Sequence, residues 1–333
     1  MHITRESHFR HGHSTPLLAT TAVGLVGAML LTGCGSGGDA GGDDAANGTA
    51  ATSSTATEQP SATPTPTQPP ELIGGGTTLF PERRFVALYG HPGTPGLGAL
   101  GEQGPEESAE RAIELAKQYE PYSQEKVIPA FEIIATTASS DPGPDGDFSS
   151  EAPVERLMPY IEAAQKHGIY VVLDLQPGRS DFLSQAKRYE ELLKRPNVGL
   201  ALDPEWRLGP GQYPLQQIGS VSAQEINETT QWLARLTTEN GLPQKTLILH
   251  QFSMPMIQNR EAITTDHPEL AFLLHADGHG TPDLKMSTWD ALQHELPRGI
   301  RMAWKNFYDE DTPTWTPEQT YDIEPKPWFV SYQ

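Results

Sequence analysis

From about Phe85 onward the chain repeats one unit: a short, continuous apolar run, a polar loop, then a stretch of helical period. The apolar runs are FVALYG (85–90), 127–134, IYVVLDL (169–175), 198–202, TLILHQF (246–252), 270–275, 299–307 and WFVSY (328–332). Strands that read as unbroken apolar runs are buried on both faces, and their alternation with helices points to a parallel sheet. Helices are predicted over 106–119, 154–167 (closed by Gly168), 181–194, 222–239, 255–264, 288–296 and from Thr316. Ser222 with Glu225 three residues on reads as a capping box. Eight units in about 255 residues, 79–333, predict an α/β fold of the (β/α)8 TIM-barrel type. An open doubly wound sheet is the alternative.

The first 78 residues cannot belong to that core. Residues 1–16 carry Arg5 and Arg10, and Leu17 to Leu31 are apolar or small apart from two Thr. An apolar run of about fifteen residues is short for a ~20-residue membrane span and suits a signal sequence. It ends in Leu31-Thr32-Gly33-Cys34, which resembles the bacterial lipobox. That resemblance implies cleavage before Cys34 and a lipid on its thiol, tethering the chain to the outer face of a cell membrane. Two acyl chains on one cysteine anchor stably where one does not. The expected organisation is therefore a lipoprotein signal peptide (1–33), a disordered Gly/Thr/Pro-rich spacer (34–78) and the barrel (79–333). The spacer holds almost no residue able to build a core, and such segments do not offset their ordering entropy. Its run from Ser61 to Pro70 alternates with Pro and predicts an extended stalk.

Charge and cysteine content narrow the chemistry. Cys34 is the only cysteine, which excludes internal disulfides and thiolate metal sites. A net charge of -20 predicts no nucleic-acid partner. No glycine-rich phosphate loop joins a strand to a helix, so no nucleotide cofactor is expected, and none of another kind.

In a barrel of this type, chemistry gathers at the C-terminal ends of the strands. Polar residues crowd that position: His91, Asp174, Gln176, Asp203, Glu205, His250, Gln251, Lys305, Tyr308 and Asp309. The fourth run is the most informative. It reads Leu200-Ala201-Leu202-Asp203-Pro204-Glu205-Trp206, and strand alternation puts Asp203 and Glu205 on the side opposite the leucines. With the leucines against the helical shell, both carboxyls face the barrel mouth. Two carboxyls held close raise the pKa of one, which then can donate a proton to a leaving oxygen.

The run Leu202-Asp203-Pro204-Glu205-Trp206 resembles the end of the fourth-strand motif of family 18 glycoside hydrolases. The resemblance implies that Glu205 protonates a glycosidic oxygen and that Asp203 orients a substrate N-acetyl group. It also implies that Trp328 forms the floor of the sugar site. The family's first motif Asp is Ala201 here, which breaks its proton-sharing pair. More broadly, the chain resembles exported lipoproteins of high-GC Gram-positive bacteria with a glycosidase-like barrel. The expected catalytic set is Glu205, Asp203, Asp174, Tyr308 and Asp309. His91, Trp206, His250, Gln251, Lys305 and Trp328 are expected to bind a cell-envelope or environmental glycan.

Two other readings stand beside this one. His275-Ala276-Asp277-Gly278-His279 offers three ligands at alternate positions, which with Asp174 or His250 suit zinc or manganese in a metal-dependent hydrolase. Ala201 in place of an acid suits a lipoprotein that binds a glycan or peptide without turnover. Asp141, Asp145 and Asp147 lack the spacing of an EF-hand loop and read as a solvated loop.

Overall fold

The computed structural model of the chain describes residues 70–333. The predicted signal peptide, Cys34 and most of the predicted spacer lie outside the described residues. Eight parallel strands form the core: β1 Arg83–Gly90, β2 Lys126–Ala138, β3 Tyr170–Leu175, β4 Val198–Leu202, β5 Lys245–Gln251, β6 Leu270–Ala276, β7 Ile300–Asn306 and β8 Phe329–Tyr332. Each pairs with its neighbours in sequence, and Phe85 of β1 lies opposite both Phe329 of β8 and Ile128 of β2. The sheet therefore closes, and the fold is a (β/α)8 TIM barrel rather than an open doubly wound sheet.

The apolar runs are unbroken because each strand buries both of its sides in different places. Phe85, Ala87, Ala130, Tyr170, Val172, Ala201, Ile248, Leu273, Ala303 and Phe329 fill the barrel interior. The alternate residues, such as Val86, Leu88, Val171, Leu173, Leu200, Leu202, Leu247 and Leu249, pack outward with the helices. Leu72, Leu79, Phe80 and the half-buried Trp328 join the interior cluster. Arg83 ties this segment down by donating to the carbonyls of Ile73, Gly75 and Leu79. Packing thus extends upstream of Leu79 to Leu72.

The outer layer contains α1 Pro105–Lys117, α2 Val154–His167, α3 Phe182–Arg188, α4 Glu190–Leu193, α5 Ala223–Glu239, α6 Pro282–Gln293 and α7 Pro317–Tyr321. Gly168 ends α2 in the left-handed region at φ 69°, as a helix-stopping glycine does. The predicted 181–194 helix is instead two pieces that meet at Tyr189. The Tyr189 hydroxyl donates to the carbonyls of Ala135 and Ala152 at 2.7 and 2.9 Å. Ala135 is the residue passed over where the β2–β3 register shifts between Ile134 and Thr136.

The predicted helix over 255–264 does not form. One-turn 3-10 segments, Met254–Met256 and Arg260–Ala262, flank the two-residue strand Ile257–Gln258, which pairs with Val221–Ser222. Asn259 is left-handed at φ 54°, and Arg260 is drawn inward to Gln251 Oε1 at 3.0 Å. The sixth helix begins at Pro282, well before Thr288, because Pro is at home in a first helical turn. Ser222 does cap α5, accepting from the Glu225 N–H at 3.2 Å. Glu225 does not return the bond, because Arg207 Nε and the Phe182 N–H hold its carboxylate. A reciprocal capping box forms at Thr316 and Gln319 instead.

Candidate functional site

Two residues along each strand from its last apolar interior residue, the inward side becomes polar. Tyr89, Glu132, Asp174, Asp203, His250, His275, Lys305 and Ser331 occupy that level, one from each strand or its end, and all are buried. They bond across the barrel. Tyr89 donates to Asp174 Oδ2 at 2.9 Å. The ring nitrogens of His250 lie 2.7 Å from Asp277 Oδ2 and 2.9 Å from Glu132 Oε1. His275 pairs through Nε2 with Ser331 Oγ at 3.2 Å, and its Nδ1 is 3.6 Å from Glu132 Oε1. Lys305 Nζ lies 3.0 Å from Asp277 Oδ1 and 3.6 Å from the centre of the Tyr89 ring.

Burying this many ionisable groups is costly unless they pair. Burial disfavours the His250 imidazolium, but Asp174, Glu132 and Asp277 outweigh it and raise its pKa well above the usual value. Burial likewise opposes charge on Lys305, and Asp277, Glu132 and Asp203 restore it. Asp277 and Glu132 are held below the usual carboxylate range against their own burial, Asp277 by Lys305 and His250, Glu132 by His275 and His250. Asp203 moves the other way: burial, then Asp174 and Glu205, raise it in spite of His250. Burial and Asp277 push Glu205 up to about 7.

Above this level a mouth of about 850 Å³ opens. Tyr89, Asp203, Asp277 and Lys305 form its floor, and Glu205, Trp206 and Gln176 stand in its wall. Apolar side chains rim it, among them Leu97, Phe252, Phe307 and the exposed Leu215 and Leu284. A groove of about 530 Å³ beside α5 shares no residue with it and holds none of these groups.

Strand alternation does not reach Glu205 as predicted. The fourth strand stops at Leu202, and Asp203 caps a one-turn 3-10 helix, Pro204–Trp206, by accepting the Glu205 N–H at 3.1 Å. That turn, not the pleat, sets Glu205 and Trp206 into the wall. The structure thus gathers Asp203, Glu205, Trp206 and Lys305 at the mouth, while Asp174 and His250, fully buried on the level of its floor, do not line it.

Several predicted site residues lie elsewhere. Trp328 precedes β8, at the opposite end of the barrel, where Arg84 sits 4.0 Å from its ring. It cannot floor a site at the C-terminal mouth; Gln333, at the far end of β8, lines it instead. Gln251 faces outward, donating to the Ser253 carbonyl and accepting from Arg260. His91 is buried but does not line the mouth; burial and Arg156 lower its pKa. Tyr308 lies against Tyr332, with ring centres 5.2 Å apart, and Asp309 is exposed. The buried acid of that loop is Asp311, which pins Lys285 and the Phe307 N–H. The trio His275, Asp277 and His279 also separates, because β6 ends at Ala276. His275 points down to Ser331, Asp277 turns to His250, and His279 packs on Phe307 in the mouth.

Sequence reasoning missed Tyr89, Glu132 and Ser331. Glu132 had a signal: a single charge within the apolar run 127–134. Tyr89 and Ser331 had none, since both fit an ordinary strand.

No protein-family model and no curated protein sequence matches this chain. Among solved structures, it is similar to a D-allulose 3-epimerase from Methylomonas sp., with 14% identity and a TM-score of 0.35 over 76% of this chain and 85% of that one. It is also similar to a dihydropteroate synthase from Xanthomonas albilineans, with 10% identity and a TM-score of 0.31 over 75% and 87% of the two chains.

Proposed function

We propose that this chain is a cell-surface lipoprotein whose barrel hydrolyses a cell-envelope or environmental glycan, with Glu205 as the general acid. The observation that carries the reading is the placement of Glu205. It stands in the wall of the mouth, next to Trp206 in the chain and two residues after the buried Asp203. A carboxyl that titrates near neutrality is suited to protonate a glycosidic oxygen. The Trp206 ring offers an apolar face for a sugar ring, while Asp203, Asp277 and Lys305 offer polar partners for hydroxyls. Asp277, paired with Lys305, is a second carboxylate on the same floor. The motif resemblance supports the same assignment for Glu205, and Asp203 then orients an N-acetyl group. The lipobox-like Leu31–Cys34 supports the surface location.

A non-catalytic glycan-binding role is the competing reading, favoured by Ala201 where the resembling family has an acid. Assay of the parent and Glu205→Gln on muropeptides and chitin oligomers separates the two. Turnover by the parent that Glu205→Gln loses, with binding retained, supports the hydrolase. Equal binding by both proteins with no turnover by either supports the binding role.

A further inference from the structure

We propose that the barrel binds a divalent transition-metal ion in its interior, at the level of the mouth's floor, ligated by Glu132, His250 and His275 with Asp174 as a fourth ligand. The proposal does not depend on the glycan reading. These four side chains come from β2, β3, β5 and β6, all point inward, and all are fully buried.

Glu132, His250 and His275 each bring one donor atom within 4.8 Å of the others, and Asp174 reaches the cluster through His250. His250 Nε2 lies 2.9 Å from Glu132 Oε1 and 3.9 Å from Asp174 Oδ1, and His275 Nδ1 lies 3.6 Å from Glu132 Oε1. An ion about 2.0–2.2 Å from each donor would hold neighbouring donors roughly 3.0–3.5 Å apart. The separations of Glu132 from His250 and from His275 are already close to that spacing, and Asp174 joins the set by a side-chain shift toward His250.

The cluster also leaves atoms without a partner. Glu132 Oε2, Asp174 Oδ1 and His275 Nδ1 are buried and make no hydrogen bond. Orphaned buried polar atoms are rare because each carries a desolvation cost. Here three of them belong to one cluster of imidazoles and carboxylates. Meanwhile the far atom of three of the four groups is fixed. Asp277 holds His250 Nδ1, Ser331 holds His275 Nε2, and Tyr89 donates to Asp174 Oδ2. Outer partners that orient a ligand's second atom and turn the first toward the cluster are the usual surroundings of a bound metal.

Two imidazoles with two carboxylates favour zinc, manganese or iron(II) over calcium or magnesium, which prefer all-oxygen sites. The other acidic trio, Asp145, Asp147 and Glu151, offers only oxygens and sits on the surface, with Arg188 beside it. It serves as the control.

The test uses the full chain, stripped with EDTA and dialysed. Zinc chloride, manganese chloride and calcium chloride are added in separate arms, with calorimetry and thermal unfolding as readouts. Cobalt(II) absorption provides a spectroscopic check for imidazole ligation. The expected result is one equivalent of zinc or manganese per chain with a rise in Tm, and a cobalt band that His275→Gln abolishes. Ser331→Ala, which leaves every ligand in place, should weaken binding by about 10–100-fold. An Asp145→Asn/Asp147→Asn double variant should bind zinc and manganese like the parent. The proposal is overturned if neither metal binds or shifts Tm, or if His275→Gln and Ser331→Ala both bind like the parent. Transition-metal binding lost only in the double surface variant would overturn it as well.

Discussion

The backbone N–H of Glu205 donates to Asp203 Oδ1 at 3.1 Å, and this bond closes the single turn that aims the Glu205 carboxyl into the mouth. An amide oxygen accepts the same bond, and a methyl group does not. On glycans without an N-acetyl group, Asp203→Asn should therefore turn over close to the parent rate, and Asp203→Ala should be slower by about 10-fold or more through misplacement of the acid. Steady-state rates of the three proteins decide the point. Equal rates for the Asn and Ala variants would show that the turn does not position Glu205.

Glu205 acts as an acid only in its protonated form, and its pKa is raised to about 7, by burial first and then by Asp277. With a poor leaving group, kcat/KM should fall as pH rises through that value. Glu205→Gln should cost about 10²–10⁴-fold on such a substrate. It should cost much less on an aryl glycoside whose leaving group departs unaided. A pH–rate profile with no change near neutrality would argue against the assignment.

Tyr189 bonds two backbone carbonyls at the bend of β2 and breaks the outer helix in doing so. Removing only its hydroxyl leaves Ala135 O with the Ala152 N–H, 2.9 Å away, and leaves Ala152 O without that donor. Tyr189→Phe should lower stability by about 1–3 kcal/mol, read as a lower denaturation midpoint with an unchanged m-value. No loss would mean the bend is held by the backbone alone.

Lys245 is fully buried, donates to the carbonyls of Arg195 and Val198, and has its pKa lowered by burial to about 7. In the unfolded chain it titrates near 10.5. Between those values the unfolded state binds the extra proton, so stability rises with pH across the window. Relative to Lys245→Met, the parent should gain a few kcal/mol between pH 7 and 10. Parallel stability curves for the two proteins would exclude a neutral lysine in the fold.

The tether prediction rests on residues 31–34. Cys34→Ala should release the protein from membranes or leave an uncleaved precursor, resolved by fractionation and mass spectrometry. A cleaved product of that variant that still sediments with membranes would contradict lipidation at Cys34.

The barrel was legible in the sequence because burial on both sides of a strand leaves only apolar runs, and eight of them alternate with helical periods. Strand alternation also placed Asp203 inward, since Leu200 and Leu202 on the other side had to meet the helices. Alternation carries no information past the last ladder bond, and there the tertiary structure decided. Leu202 ends β4, so a turn aims Glu205; Ala276 ends β6, so Asp277 and His279 part; Phe329 begins β8, so Trp328 belongs to the far end. Which buried groups meet across the barrel depends on the closure of β8 onto β1 and on the relative stagger of the strands. No local pattern encodes either. Glu132, 118 positions from His250 in the chain, comes within 2.9 Å of it only when the sheet has closed.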